Sequence, residues 1–445
     1  MQSSSRIAIV GAGPVGTLLA ILLARAGCEI GLIERRADPR LVPAEGGRSI
    51  NLALAARGLA ALEGAGLLGR ARPEMVEMRG RQLHDLDGLG PLLPYGQRPQ
   101  EVIQAISRAR LNIALIEAAA ELPAIRMVFG RRCLDADPQS GRVHWQGEGD
   151  GTSGVETSDI VIAADGAGSA LREALATRGV LQSREELLAH DYKEFLIPAR
   201  PGGAWALAPH ALHIWPRGDF MLIALPNPDG SFTATLFLAA QGDPGFAALA
   251  TPEAARAFFA AQFPDALALL PDFETQFARN PQSQLGTVHC WPWQSGRVLL
   301  IGDAAHAIVP FHGQGLNCGF EDCVLLADLL RLAADRGSAL AQFERLRRPN
   351  TDAIATMAIE NYLEMRATVL APDFAARRQL ALDLEQRYPE RFIPRYSMVM
   401  FHAEIPYAEA LRRGALQESM LDALLAAHAG ADSALAAQLL DDSGL

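Results

Sequence analysis

The feature that most constrains the fold is Gly11-Ala12-Gly13-Pro14-Val15-Gly16, taken with its flanks. Arg6 to Val10 before it is a short, β-branched apolar run, the pattern of a buried strand. After it, Leu18, Leu19, Leu22, Leu23 and Ala26 recur at helical spacing. Glu29 to Ile33 reads as a second strand, ending in Glu34-Arg35-Arg36. A glycine fingerprint alone is a weak signal. Placed between a strand and a helix, with an acid about twenty residues on, it specifies a dinucleotide-binding βαβ unit. Gly11, Gly13 and Gly16 would allow the turn and the close approach of a pyrophosphate. Pro14 and Val15 would open the helix, whose free N–H groups favour an anion. Glu34 suits ribose hydroxyls and so an unphosphorylated ribose. Arg35 and Arg36 are either cofactor contacts or solvated charges.

A second constraint lies almost 290 residues downstream, in Leu299-Leu300-Ile301-Gly302-Asp303-Ala304-Ala305-His306. Val298 to Ile301 reads as a strand covered on both faces, then a tight loop at Gly302, with the Asp303 carboxylate at the strand's end. Pro310-Phe311-His312-Gly313-Gln314-Gly315-Leu316-Asn317 follows. Gly313 and Gly315 permit close backbone approach, and a helix from about Leu316 would aim its positive end at an electron-rich group. One elongated cofactor spanning both stretches accounts for them together. Its pyrophosphate would sit at Gly11–Gly16, a sugar-chain hydroxyl on Asp303 and a redox ring by Gly315.

Between these landmarks, Arg48 and Asn51 lie in a turn suited to a planar ligand. Met78-Arg79-Gly80-Arg81 is strand-like, which would put both arginines on one face, towards solvent or towards an anion. Ser107 is a fitting N-cap, and Arg108 or Arg110 would reach back to the nucleotide or lie at the surface. Ile125 to Trp145 alternates like a small antiparallel sheet. Asp159 to Ala164 is another buried strand, ending in Asp165-Gly166. From about Leu187 to Val288 the pattern changes to strands at Leu212–Trp215, Phe220–Ala224 and Phe232–Leu238, with a helix over Pro252–Phe263. Helices dominate beyond Phe320.

The 445 residues imply two or three domains. A net charge of −11 leaves no basic face for nucleic acid. The five cysteines show neither metal spacing nor a C-x-x-C pair, as expected for reduced thiols in the cytoplasm. No signal peptide and no membrane span is expected. Oligomeric state stays open, a homodimer included.

GAGPVG, ADG and IGDAAH, in that order, resemble the single-component FAD-dependent aromatic hydroxylases. The resemblance implies an α/β fold: a glutathione-reductase-like FAD-binding Rossmann domain (1–75, 100–185, 289–350), an inserted α+β substrate domain (76–99, 186–288) and a C-terminal helical region (351–445). Six further stretches look like the kynurenine-hydroxylating branch of that family: Gly47–Leu54, Met78–Arg81, Leu212–Pro216, Pro310–Cys318, Glu360–Tyr362 and Phe392–Val399. The likeness covers about Arg6 to Ala410. It implies that NADPH reduces bound FAD, that O2 then forms a flavin 4a-hydroperoxide, and that L-kynurenine becomes 3-hydroxykynurenine, a step of tryptophan degradation.

Carried over residue by residue, Arg81, Tyr95, Asn361 and Tyr396 would hold the amino-acid end of the substrate. Phe237, Phe311, Pro310 and Met365 would wall its ring. Leu52, Ala53, Leu134, Asp165, Gly302 and Asn317 join the residues above as implied cofactor contacts. His312 is either a proton conduit or a packed loop histidine, and His306 is structural or cofactor-positioning. No metal site is expected. NADPH has no second Rossmann site to dock on, with Asp165 and Arg172 as weak pointers. Membrane-anchored members of the branch carry a C-terminal anchor that this chain lacks, so a bacterial-type form without one is expected. Three other readings stay open on the residues alone: a hydroxylase or halogenase of another aromatic acid, an NAD-dependent dehydrogenase, and a non-catalytic FAD-binding protein.

Overall fold

The computed structural model describes residues 5–42, 51–366 and 373–444. It divides into two compact units. The first comprises 1–75, 105–188 and 284–351, and the second 76–104, 189–283 and 352–445.

The first unit is built on a six-stranded sheet. Its order is Gln294–Ser295, Val298–Leu300, Ile160–Ala163, Arg6–Val10, Glu29–Ile33, Ile125–Val128. All pairings are parallel except that of the first two strands. Parallel strands lie under helices on both faces, which is why Ile7, Ile9, Val161, Ile162, Leu299 and Leu300 are apolar without alternation and buried. Each such side chain contributes roughly 1.5–3 kcal/mol by leaving water. The Pro14–Arg25 helix starts with proline at its first turn, where the missing N–H costs nothing. Ser107 caps the Arg108–Ala120 helix by accepting from the Arg110 N–H, as its position implied.

The small antiparallel sheet differs from expectation. It consists of Arg131–Ala136, Arg142–Gly147 and Ser153–Thr157. Ile125–Val128 instead joins the parallel sheet beside Glu29–Ile33. A run of four residues holds too little alternation to say which sheet it enters.

The second unit carries a seven-stranded sheet ordered Gln282–Trp291, Gln182–Ile197, Phe232–Ala239, Met221–Pro226, Ala211–Pro216, Gly80–Asp85, Gly88–Pro94. One face packs on helices Pro252–Gln262 and Phe273–Arg279 through an aromatic core that includes Phe195, Trp215, Phe259, Phe263 and Phe273. Register assigns the other face. Arg81 pairs beside Leu212, Ile214 opposite Ile223, Ile223 opposite Thr235, and Met221 opposite Phe237. These side chains therefore point away from that core. Four helices, Phe374–Arg387, Arg395–Phe401, Tyr407–Ala426 and Ala434–Ser443, form a further layer with Leu384, Phe392 and Leu424 at its centre.

Candidate active site

In the first unit the fold brings the two distant glycine stretches together. A β-carbon on Gly302 would stand 3.2 Å from Val15 Cγ1, and one on Gly319 only 2.7 Å from Val15 Cγ2. The Cys323 thiol lies 3.2 Å from the Val15 carbonyl oxygen. Gly11 has φ +104°, and a β-carbon there would meet the Ala164 carbonyl oxygen at 2.4 Å. One on Gly16 would meet the Gly11 oxygen at 2.0 Å. Glycine is therefore required at both positions by the protein itself. Gly13 is different: a β-carbon there meets no atom of the described residues within 4 Å. Gly13 borders open space at the start of the Pro14–Arg25 helix, where a pyrophosphate would bind. Glu34 closes this loop, accepting from the Ala12 and Arg36 N–H groups at 2.9 Å each.

Gly302 turns with φ +59° and delivers Asp303 to the start of a short helix, Asp303–His306, that the sequence did not announce. Asp303 Oδ1 is 3.9 Å from where a β-carbon on Gly315 would stand. The carboxylate thus lies beside the N-terminus of the Gly315–Leu332 helix, whose first N–H groups lack helical acceptors. Ala53 Cβ stands 3.0 Å from that point on Gly313, the latter in a left-handed conformation at φ +65°. Leu52 and Ala53 are half-buried in the strand Asn51–Leu54. Pro310 is exposed, while Phe311 and His312 are buried in the same tight turn.

These residues fit an FAD: an anion-ready glycine loop, an acid at the neighbouring strand end, and a second acid beside a helix N-terminus. The Asn317 side chain does not join them as expected. It is fully buried, donating to the Ala53 and Gly313 carbonyls at 2.8 Å and accepting from the Ala55 and Gly58 N–H groups at 2.9 and 3.2 Å. All its hydrogen-bonding capacity is spent on backbone, so only its own N–H remains for a ligand.

Asp165 also departs from expectation. Its carboxylate accepts from the Ser169 hydroxyl at 2.6 Å and from the Leu171 N–H, serving the start of the Ala170–Thr177 helix. Burial outweighs those bonds and pushes its pKa up. Arg172 is buried, donating to the Ala304 and Ala167 carbonyls and to Glu185. Arg35, Arg36, Arg108 and Leu134 are exposed. Arg48 lies outside the described residues.

His306, Cys318 and Asp322 cluster closely enough to hold a cation, but a guanidinium already stands there. Arg347 donates to Asp322 at 2.6 Å and reaches Cys318 Sγ at 3.2 Å. Asp322 also pairs with His306 Nε2 at 2.7 Å. Burial alone would raise the Asp322 pKa, yet His306 and Arg347 hold it below the usual range.

In the second unit four of the residues carried over for the substrate form one buried cluster. Arg81 Nη1 donates to Glu364 at 3.0 Å and Nη2 to Asn361 Oδ1 at 3.4 Å. Its guanidinium carbon lies 4.7 Å from the centre of the Tyr396 ring, which stacks on Tyr95 at 5.9 Å. Asn361 reaches Met365 Sδ at 3.3 Å. Arg81 is 7% exposed. Burial opposes its charge, but Tyr396, Glu364 and Tyr95 keep its pKa raised. Burial also raises both tyrosine pKa values, so each phenol keeps its proton and can donate.

Arg79 does not share this environment. The chain breaks strand geometry at that residue, between Met75–Met78 and Gly80–Asp85, and its side chain is exposed against Glu77. The Arg79 carbonyl instead accepts from the Tyr95 N–H at 3.0 Å, which fixes the tyrosine's backbone. Phe237 is buried on the same sheet face as Arg81, with Leu212, Met221 and Ile223. Sequence reasoning missed those three, and it missed Glu364. Glu364 follows Asn361 by three residues on one helix, a spacing that places both on one side.

The profile of the FAD binding domain family matches residues 4–358. Kynurenine 3-monooxygenase of Stenotrophomonas maltophilia is 48% identical over 433 residues, 97% of this chain and 95% of that one. The Myxococcus xanthus enzyme of that name is 47% identical over 94% of this chain and 90% of its own. Among solved structures, 2-methyl-3-hydroxypyridine-5-carboxylic acid oxygenase has a TM-score of 0.66 at 21% identity, covering 92% of this chain and 98% of its own. PqsL of Pseudomonas aeruginosa, solved with 2-aminobenzoylacetate, has a TM-score of 0.65 at 20% identity, covering 82% and 97%. Those two likenesses bear on the fold alone. Near-half identity along almost its whole length, over an FAD-binding domain, makes the chain a member of the kynurenine 3-monooxygenase family.

Proposed function

We propose that the protein hydroxylates L-kynurenine to 3-hydroxykynurenine, with bound FAD and with NADPH and O2 as co-substrates. The balanced reaction takes kynurenine, NADPH, a proton and O2 to 3-hydroxykynurenine, NADP+ and water. When bound, FAD passes the electrons of NADPH to oxygen and supplies an electrophilic oxygen atom. The substrate's own aromatic amine activates the ring carbon beside it, so no strong protein base is needed there. The chain's task is to hold one molecule still and to exclude water.

The observation that carries this reading is the convergence of Arg81, Tyr95, Asn361 and Tyr396 from three separate segments. A planar guanidinium offers two parallel donors to a carboxylate. The two phenol hydroxyls supply further donors, and Asn361 bonds the amino-acid end. Glu364 carries the charge that an α-ammonium group needs. Phe237 and Met365 offer apolar surface to the ring. Glu34, Gly13 and Asp303 would hold FAD at its ribose, pyrophosphate and sugar chain. His312 is assigned no acid–base step.

Among the described residues no helix is long and apolar enough to cross a membrane. All five cysteines are free. This supports placing the reaction in a reducing compartment, the cytoplasm. The test is oxygen uptake with NADPH and each of several aromatic acids, with the product identified. Kynurenine is expected to stimulate uptake and yield the 3-hydroxy product. Stimulation by another aromatic acid and not by kynurenine would overturn the substrate assignment.

A further inference from the structure

On the sheet face opposite Arg81 runs a polar chain that the proposed reaction does not use, two buried histidines ending on the exposed Asp265. His213 Nε2 lies 2.9 Å from the Ala208 carbonyl oxygen, and its Nδ1 lies 2.8 Å from His84 Nε2. His84 Nδ1 lies 2.9 Å from Asp265 Oδ2. Trp215 Nε1 donates to both Asp265 oxygens at 2.9 Å, and the His84 ring stacks on Trp215 at 4.0 Å. His84 and His213 are 3% and 1% exposed.

The polarity of this chain follows from its two ends. A carbonyl only accepts, so His213 Nε2 carries a hydrogen. Burial draws the His213 pKa down to about 4, so the ring is neutral and its Nδ1 accepts. His84 Nε2 must then donate. Burial opposes the Asp265 charge, but the bonds from His84 and Trp215 hold its pKa below the ordinary range, so it too accepts. His84 Nδ1 must therefore also donate. An imidazole that donates from both nitrogens is a cation. Its surroundings suit one: the Trp215 π face and the Asp265 carboxylate. The nearby like charge is Arg217, which donates to the His84 carbonyl at 3.0 Å.

His84 lies three residues from Arg81 on the Gly80–Asp85 strand. That strand pairs with Ala211–Pro216 over only four residues, Gly80 to Leu83. We propose that His84, held as an imidazolium between His213 and Asp265, is a positioning residue that locks this strand and so sets the grip of Arg81 on the substrate's amino-acid end. The part concerning Arg81 rests on the function proposed above.

Nitrogen NMR of the FAD-loaded protein, labelled at histidine, tests the charge directly. Near neutral pH, His84 is expected to carry a hydrogen on both nitrogens and His213 on Nε2 alone. In Asp265→Asn, which keeps an acceptor but removes the charge, one His84 nitrogen is expected to lose its hydrogen. The same variant should raise the kynurenine KM several-fold, with kcat within twofold and FAD content unchanged. His84→Gln should behave alike. A neutral His84 in the parent overturns the proposal, as do variants with parental KM. If the variants fail to fold, the parent's spectrum still decides. If kynurenine proves not to be the substrate, the nitrogen shifts still settle the charge of His84, so the two failures are separable.

Discussion

Arg81→Ala should weaken kynurenine use severely and leave FAD binding alone. Arg81 is a buried cation with one carboxylate and one amide on its two terminal nitrogens. Removing one member of a buried, hydrogen-bonded charge pair costs about 2–5 kcal/mol. At about 1.4 kcal/mol per tenfold, that is roughly a 30- to 5,000-fold loss in kcat/KM. The upper half of the range is expected, because the variant leaves the Glu364 carboxylate facing the incoming substrate carboxylate. The amino-acid end is gripped equally before and during oxygen transfer, so the loss should appear in KM and hardly in kcat. Arg81→Lys keeps the charge but not the fork and should fall between parent and alanine variant. Adding Glu364→Gln to Arg81→Ala removes the repulsion and should recover part of the loss, so the two substitutions will not add. The assay is kynurenine-stimulated NADPH oxidation, with the visible flavin spectrum as the control for cofactor content. A KM within twofold of the parent would refute the role of Arg81. A loss that merely tracks missing flavin would refute it as well.

Gly13→Ala meets no atom of the described residues within 4 Å. It should leave the apoprotein's melting temperature unchanged while lowering FAD affinity, whereas Gly16→Ala, 2.0 Å from a backbone oxygen, should destabilise the apoprotein itself. Asp303→Ala should lower FAD occupancy after purification, and a fully yellow variant would contradict the assignment of that carboxylate. Asn317→Ala strands four backbone groups, two of them in fully buried hydrogen bonds; at about 1–3 kcal/mol for an unsatisfied buried group, a few kcal/mol of stability should go, visible in denaturant melts. Burial raises the Glu194 pKa to about 7. An acid with a raised folded-state pKa costs stability once pH exceeds its unfolded value, and the whole cost is present above pH 7. The shift corresponds to roughly 3 kcal/mol. Glu194→Gln should therefore stabilise the protein at pH 8 and leave it unchanged near pH 4, and equal effects at both would refute the burial argument.

What the amino-acid sequence determined by itself is local. Strand, glycine loop and helix at Arg6–Arg25, the Glu34 acid, the Ser107 cap and the Gly302 turn follow from sterics and hydrogen bonding among near neighbours, and all could be read directly. Family likeness then pointed to Arg81, Tyr95, Asn361 and Tyr396, which no periodicity or spacing links. Tertiary structure alone decided the rest. It set Val15 against Gly302 and turned the Asn317 side chain into a backbone clamp. It moved Ile125–Val128 into the parallel sheet, placed Glu364 on Arg81 and hydrogen-bonded His84 between His213 and Asp265. Each of these joins residues whose meeting depends on strand register and on which helix face is covered. A hydrogen bond between residues hundreds of positions apart leaves no trace in the local pattern of either, because its energy is released only once the chain between them has folded.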